Sequence, residues 1–348
     1  MTQTVELHAS KAAIGSVVPA NVDVTVGDGE VLLRIDLFAL TANNVTYAAH
    51  GEDFRYWAFF PAPHGKGIVP VWGFATVVES RSPGVEVGQR FYGYWPMASH
   101  ALLLPGKVSP RGFTDMAAHR LVLPPVYNNY VPASDDYGSE AVQALFRPLY
   151  TTSFVLDLML ADCPVETLVL TSASSKTALG LAQLAKGRQK VIGLTSAANK
   201  GFAEATGYYD LVLDYADVAK LPGAVKGAAA LVDFAGNGAV RHAVHSHLGS
   251  ALAESHVVGD THWEAENLAD LPGVQPKMFF APTVIVERIG EWGPEGFEQR
   301  LAKAWAGFIA STDWLKTKEL EGAEAVSKAW ADLATGRIDP AQGLVARV

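Results

Sequence analysis

The chain has 348 residues, 49% of them apolar and 18% charged, with a net charge of −9 and a single cysteine. That balance suits a globular protein with a sizeable core, long enough for two domains or one large one. The acidic charge argues against nucleic acid or an anionic membrane surface as the main partner, and one cysteine, Cys163, excludes an intramolecular disulfide and a cysteine-rich zinc site.

No apolar stretch reaches the roughly 18 residues that a membrane-spanning helix requires. Met1 to Val17 carries no apolar core behind a basic start, so a soluble cytoplasmic protein is the expectation. In chain order, residues 1–128 read as short strands, among them 22–26, 30–37 and 69–80, with Gly and Pro between them. Ser82-Pro83-Gly84 opens a tight turn into another strand, and no sustained helical period appears in this part. Residues 139–160 are expected to be helical, broken at Pro148. Then strand and helix alternate: 167–171, 176–186, 190–195, 200–206, 211–214, 229–234, 239–248 and 256–259. Alternation at this spacing specifies a parallel sheet with crossover helices. A loop-rich stretch (261–293), helices over 297–311 and 322–334, and a last strand over 343–348 complete the chain, without internal repeats.

Residues 166–214 are the most informative. An apolar strand enters a loop of small residues, a helix-period segment follows, and a second apolar strand comes next. This is the first half of a dinucleotide-binding unit. Phosphates need a sharp strand-to-helix turn with N–H groups exposed at a helix N-terminus. Here that turn is Ser172-Ala173-Ser174-Ser175-Lys176-Thr177-Ala178. Its residues are small enough for close approach. Ser174, Ser175 and Thr177 can cap the helix or donate to a diphosphate, and Lys176 adds a cation. At the end of the second strand no Asp or Glu precedes Glu204 to take ribose hydroxyls; Ser196 and Lys200 suit a 2′-phosphate instead. NADP(H) is therefore favoured over NAD(H). Gly236 with Asn237, and Gly259, follow later strands and fit turns at the carboxyl edge of the sheet.

The order of a β-rich module, a helix, a doubly wound module and a return resembles the zinc-independent medium-chain dehydrogenase/reductases, in the quinone oxidoreductase and enoyl reductase branch. SPGVEVGQRFYG resembles the turn before that family's G-D-x-V strand, LTANNVTY its N-P-x-D segment, and GRIDPAQGLVARV its terminal G-K-x-V strand. No single motif is intact. Three of the four glycines of the family's G-A-S-G-G-V-G loop become Ser172, Ser175 and Ala178. The resemblance implies an α/β fold: a GroES-like catalytic domain (1–128), a Rossmann dinucleotide-binding domain (135–285) and a return to the catalytic domain (286–348). It also implies that Tyr215 offers its phenol to the 2′-phosphate, that Phe279 to Pro282 closes a loop over the nicotinamide through Phe280, and that Thr151 or Thr152 bonds the carboxamide. A homodimer, pairing sheet edges near 248–262, is implied by analogy alone.

Catalytic zinc is not expected, because Cys163 is remote from the metal-ligand positions and the G-H-E segment is replaced by Gly73-Phe74-Ala75. His242, His245 and His247 ride a helix, where a solvated face is the simpler reading than a metal site. Without a Lewis acid, a hydride reaction needs a proton donor or an oxyanion hole. The candidates are Asn43 and Tyr47, with Tyr56 second; in the resembling reductases an Asn lies near the nicotinamide and a Tyr donates the proton. His64 and His100 are weaker acid–base candidates. The aromatic run FRYWAFFPAP is expected either to line a pocket for a small apolar or acyl substrate or to serve as ordinary core. The expected activity is NADPH-dependent reduction of an activated alkene or quinone. The alternatives are a non-catalytic NADPH-binding or scaffold protein, or non-redox acyl-thioester chemistry on the same fold.

Overall fold

The computed structural model describes residues 1–258 and 271–348. The chain divides into two compact units, one made of Met1–Leu145 with Leu315–Val348 and the other of Phe146–Trp314. The sequence reading set its boundaries near 128–135 and 286.

The first unit is β-rich. Strands β1 (Thr2–Ser10) and β2 (Ala13–Val24) form a long hairpin joined by β4 (Lys66–Ile68). The expected strand at 22–26 is only the end of β2. A nine-stranded sheet is built on β3 (Val31–Leu40), β5 (Pro70–Ser80) and β6 (Arg90–Pro96), which pair antiparallel. Strand β7 (His100–Leu103) also pairs with β3, and β8 (Pro105–Ser109), β9 (Gly112–Asp115) and β10 (Asn129–Pro132) extend the sheet beyond β6. Two glycines allow this close packing. A Cβ on Gly73 would lie 2.0 Å from the Leu37 carbonyl, and one on the opposing Gly93 would lie 2.3 Å from the Tyr130 ring.

A short helix, α1 (Ala42–Ala49), sits between β3 and the next strands, where the sequence showed no helical period. Two turns are too short to show a period, and capping specifies them instead. Asn44 accepts from the Thr41 N–H at 2.7 Å and donates to the Pro70 carbonyl at 2.9 Å, so one buried amide both caps the helix and ties it to β5.

Helix α2 (Glu140–Ala161) runs through Pro148 without breaking, contrary to expectation. Its buried Leu145, Phe146, Leu149 and Tyr150 outweigh the roughly 3 kcal/mol cost of an interior proline.

The second unit carries a six-stranded parallel sheet. In chain order its elements are β11 (Thr167–Leu170), α3 (Lys176–Ala185), β12 (Lys190–Thr195), α4 (Ala197–Ala205), β13 (Leu211–Asp214) and α5 (Leu221–Ala224). They are followed by β14 (Ala229–Asp233), α6 (Gly238–Leu248), β15 (Leu252–Val257) and β16 (Lys277–Met278). The spatial order is β13-β12-β11-β14-β15-β16, so the strand order reverses between β11 and β14. A parallel sheet of this order binds ligands beyond the carboxyl ends of the strands at that reversal. Strand β15 has β16 on its outer side.

Helix α7 (Ala281–Ile309) corrects the expected loop over 281–293: two helices meet at Gly293, whose φ of 71° kinks the chain before Pro294. Strand β17 (Lys316–Glu321) also escaped the sequence reading, because KTKELE is an almost wholly exposed, charged edge strand. It pairs parallel with β18 (Gln342–Arg347), which pairs with β3, and α8 (Ala323–Ala334) lies between them in sequence. Among the described residues no helix is long and apolar enough to cross a membrane.

Candidate functional site

In the second unit the turn after β11 is held almost entirely by its own surroundings. Ser172 has φ of 49°, a left-handed conformation that favours glycine, at the first of the replaced glycine positions. Its N–H donates to the Tyr215 hydroxyl at 3.0 Å, and its carbonyl accepts from Ser175 N–H at 2.7 Å. Ala173, fully buried, donates to the Leu194 carbonyl at 3.0 Å and accepts from the Tyr209 hydroxyl at 2.7 Å. Ser174 accepts from the Asn199 amide at 3.1 Å and lies 3.4 Å from the Thr195 hydroxyl. Ser175 is the N-cap of α3 and accepts from Ala178 N–H at 3.3 Å. The turn therefore delivers the start of a buried helix to the carboxyl edge of the sheet, with the half-buried Ser172, Ser174, Ser175 and Thr177 around it.

The facing turn after β14 is organised by a buried carboxylate. Asp233 accepts from the Thr171 hydroxyl at 2.6 Å and from the N–H groups of Ala235 and Gly236, while its second oxygen accepts from Arg241 Nε at 2.8 Å. Gly236 takes φ of 65° in this turn, and Asn237 caps α6 by accepting from Val240 N–H. The Asn237 side chain thus has a structural task.

The other expected cofactor residues fall as follows. Ser196 is the exposed N-cap position of α4. Lys200 lies one helical turn on, with its ammonium 3.9 Å from Glu204. The Tyr215 hydroxyl is at the Ser172 amide instead, and burial raises its pKa. The Lys176 ammonium stands over the Phe146 ring at 5.9 Å. The Thr152 hydroxyl bonds its own helix at the Pro148 carbonyl, 3.4 Å away. Phe280 is exposed at the start of α7, in a helix N-cap position. Gly259 lies outside the described residues. Thr195, Asn199, Thr171 and Asp233 were not singled out from the sequence. Ordinary strand-end residues give no signal of such pairing until the strands are in register.

In the first unit one group of aromatic residues gathers around Tyr47. Strands β5 and β6 place Trp72 opposite Tyr94, with Phe74 and Tyr92 two residues along on the same face. Helix α1 sets Tyr47 against them, with its ring 5.5 Å from Tyr94, 4.6 Å from Tyr56 and 6.4 Å from Tyr127. The Tyr47 oxygen accepts from the Trp72 indole N–H at 3.1 Å, and Asn43 lies one helical turn before it on α1. Burial pushes the Tyr47 phenol well above its ordinary value, nearby Tyr56 adds to this, and the Trp72 hydrogen bond pulls the other way. Tyr56 and Tyr127 pack edge to face with their rings 6.0 Å apart, and the pKa of each is raised chiefly by burial. Fully buried Tyr94 has a hydroxyl with no hydrogen-bond partner among the described residues.

The sequence-derived trio Asn43, Tyr47 and Tyr56 is thus brought together. Trp72, Tyr94 and Tyr127 are the members the sequence reading missed. The i, i+2 spacing of aromatics in Trp72-Gly73-Phe74 and Tyr92-Gly93-Tyr94 could have placed two of them; Tyr127, after Pro124-Pro125, gives no such signal. Around this cluster lie exposed apolar side chains: Phe54, Leu121, Val122 and Val126, each more than half accessible. Arg55 bonds the Val122 carbonyl at 3.3 Å and joins the two segments. Among the described residues no three His, Cys, Asp or Glu side chains gather as a metal site.

The structure is similar to that of CurA from Vibrio vulnificus, with a TM-score of 0.67 at 17% identity, covering 100% of this chain and 99% of that one. CurA in complex with NADPH gives 0.64 at 17% identity over 100% of this chain and 99% of that one. A putative NADPH:quinone reductase from Mesorhizobium loti gives 0.66 at 14% over 100% of both chains, and CurK enoyl reductase gives 0.61 at 14% over 99% of both. At these identities the likeness shows the fold: a GroES-like β-rich domain with a Rossmann-type parallel-sheet domain. No curated protein matches the sequence. A family model described as "Protein of unknown function (DUF2855)" matches residues 38–339. The chain belongs to that DUF2855 family.

Proposed function

We propose that this protein is an NADPH-dependent, zinc-independent reductase of an activated C=C bond or a quinone, acting on a small apolar or acyl substrate. The observation that carries the reading is the Tyr47 oxygen, a buried phenol that accepts from the Trp72 indole N–H at 3.1 Å within a ring of aromatic side chains. A donor aimed at a phenol oxygen favours its phenolate, which is the form a proton donor leaves behind. The exposed Phe54, Leu121, Val122 and Val126 beside this cluster suit an apolar substrate portion.

The dinucleotide, when bound, supplies the hydride. The residues present fit it at the reversal point of the sheet. The turn is narrow and small-sided, with Ser172 already left-handed, and Ser175 caps the α3 N-terminus. Ser196 is open to solvent at the end of β12 with Lys200 one turn beyond, the arrangement that suits a 2′-phosphate. The NADPH complex of CurA and the NADPH:quinone reductases sharing this fold support the same cofactor. Tyr47 then supplies the proton, and Trp72 holds its oxygen in place.

A second reading has one observation in its favour. The Tyr215 hydroxyl occupies the Ser172 N–H, an amide of the turn that would otherwise face a phosphate. On that reading the fold is kept and the nucleotide is not. Fluorescence titration with NADPH and NADH separates the two. The reductase reading expects NADPH to bind with enhanced emission and NADH more weakly, a preference lost in Lys200→Ala. It also expects NADPH oxidation with an enone, a quinone or an enoyl thioester. Absence of binding by either dinucleotide sinks it.

A further inference from the structure

We propose that the Tyr215 phenol is a latch on the nucleotide turn: it holds the Ser172 amide until an anionic diphosphate displaces it, and so sets the affinity and the charge selectivity of the turn; this rests on the nucleotide-binding part of the reading above. All the residues involved lie in the second unit. Three backbone N–H groups of the turn are engaged. Ala173 donates to the Leu194 carbonyl at 3.0 Å, Ser175 to the Ser172 carbonyl at 2.7 Å, and Ser172 to the Tyr215 hydroxyl at 3.0 Å. The first two are main-chain bonds that shape the turn. Of the three, the Ser172 bond alone ends on a side chain, which a ligand can replace. Ser172 is the first residue of the turn, left-handed at φ of 49°, beside the point where the strand order reverses and a phosphate is accommodated.

Two other side chains grip the turn without covering an amide. The Tyr209 hydroxyl donates to the Ala173 carbonyl at 2.7 Å, and the Asn199 amide donates to Ser174 Oγ at 3.1 Å. They hold the turn in shape when Tyr215 leaves it. Tyr215 opens the short 3-10 turn after β13, where Asp214 caps the backbone by accepting from the Ala216 N–H at 3.0 Å. With that main chain fixed, side-chain rotation withdraws the phenol. The ring is half-buried against a core that includes Ile192, Leu213 and Val218, so withdrawal costs packing as well as the hydrogen bond.

Burial raises the Tyr215 pKa, so at neutral pH the oxygen on the Ser172 amide is that of a neutral phenol. A phosphate oxygen is the better acceptor, because hydrogen bonds to an ionised acceptor are roughly twice as strong as those between neutral groups. A diphosphate therefore displaces the phenol and an uncharged ligand does not. The resemblance placed Tyr215 at the 2′-phosphate, where it would favour NADPH over NADH. A latch at Ser172 acts instead on the diphosphate that NADPH, NADH and ADP share, and leaves the choice between the two dinucleotides to other residues.

The test compares the full chain with Tyr215→Phe, which keeps the ring and removes the oxygen. In calorimetric titrations Tyr215→Phe is expected to bind ADP, NADH and NADPH more tightly than the unaltered chain, all by a similar factor of about five, the scale of one hydrogen bond. Weaker binding of NADPH alone places the phenol at the 2′-phosphate and overturns the latch; unchanged affinities for all three overturn it too. A second readout uses the unaltered chain. With the backbone nitrogens and the tyrosine Cζ atoms isotope-labelled, saturating ADP should shift the NMR signals of the Ser172 amide and the Tyr215 phenol together, and adenosine at the same concentration should shift neither. Saturation by ADP that leaves both signals in place refutes the latch. The two readings fail separately. If the unaltered chain binds NADPH and Tyr215→Phe binds it no more tightly, the latch falls and the reductase reading stands. If Tyr215→Phe binds ADP and the unaltered chain binds neither dinucleotide, the latch stands and the reductase reading falls. If neither form binds any of the three, both fall.

Discussion

Polar groups are fixed by different means in the two units. In the first, hydroxyls sit in an aromatic cluster assembled from α1, β5, β6 and the 125–128 turn, and the rings position them. One of them, on Tyr94, is buried with no partner among the described residues. In the second, the polar groups of the turns after β11 and β14 are nearly all engaged with one another, and a single carboxylate, Asp233, gathers four of them. A cluster fixed by packing can tolerate an unsatisfied hydroxyl. A network fixed by hydrogen bonds fails when its central acceptor is lost.

The largest expected effect follows from that contrast. Asp233→Ala leaves Arg241 buried without its carboxylate and strips a partner from the Thr171 hydroxyl and two amides, so it should cost about 3–5 kcal/mol in urea unfolding. A cost near that of a surface change would show that the turn does not depend on this centre. Tyr94→Phe should act in the opposite direction. Deleting a buried, unpaired hydroxyl is expected to gain up to about 1 kcal/mol and leave the Tyr47 contacts intact; a loss of stability would reveal a partner for that hydroxyl.

Ser172→Gly is a smaller change. Relief of about 1–2 kcal/mol of left-handed strain is opposed by about 0.5–1 kcal/mol of added freedom in the unfolded chain, leaving a modest rise in Tm. If Tm falls, the serine side chain contributes to the turn beyond its backbone angle.

The smallest effect is in the pH dependence of the second unit. Burial holds His245 below the ordinary imidazole value; the Pro272 carbonyl opposes this, and Arg241 and His242 reinforce it. His256 is lowered by burial too. The unfolded chain therefore binds protons before the folded one as the pH falls below about 6.5, so these groups favour folding above that pH and the benefit is lost on acidification. In His245→Gln the stability difference between neutral and mildly acidic solution should shrink; an unchanged slope would remove His245 from the account.

Much of the second unit was legible from its residues. Strands 190–195 and 211–214 appear with the bounds read from the sequence, because buried parallel strands are continuous apolar runs closed by turn residues. The departures occur where local pattern and tertiary packing disagree. Helix α1 is specified by the Thr41–Asn44 cap rather than by periodicity, α2 passes through Pro148 on the strength of its buried face, and β17 is a charged edge whose only claim to be a strand is its pairing with β18. In the site, Asn43, Tyr47 and Tyr56 were readable because they lie close together along the chain. Trp72 and Tyr94 carry an i, i+2 aromatic spacing that shows a shared strand face but not that it meets Tyr47, and Tyr127 carries no signal at all.

The sequence by itself determined the class of fold, the position of the strand-to-helix turn and the small residues that line it, since periodicity and turn chemistry are local properties. Only the tertiary structure decided that Tyr215 meets the Ser172 amide, that Asp233 gathers the two facing turns, and that five phenols and an indole share one cluster. Those are contacts between distant segments, and the register of the sheets is what brings them together.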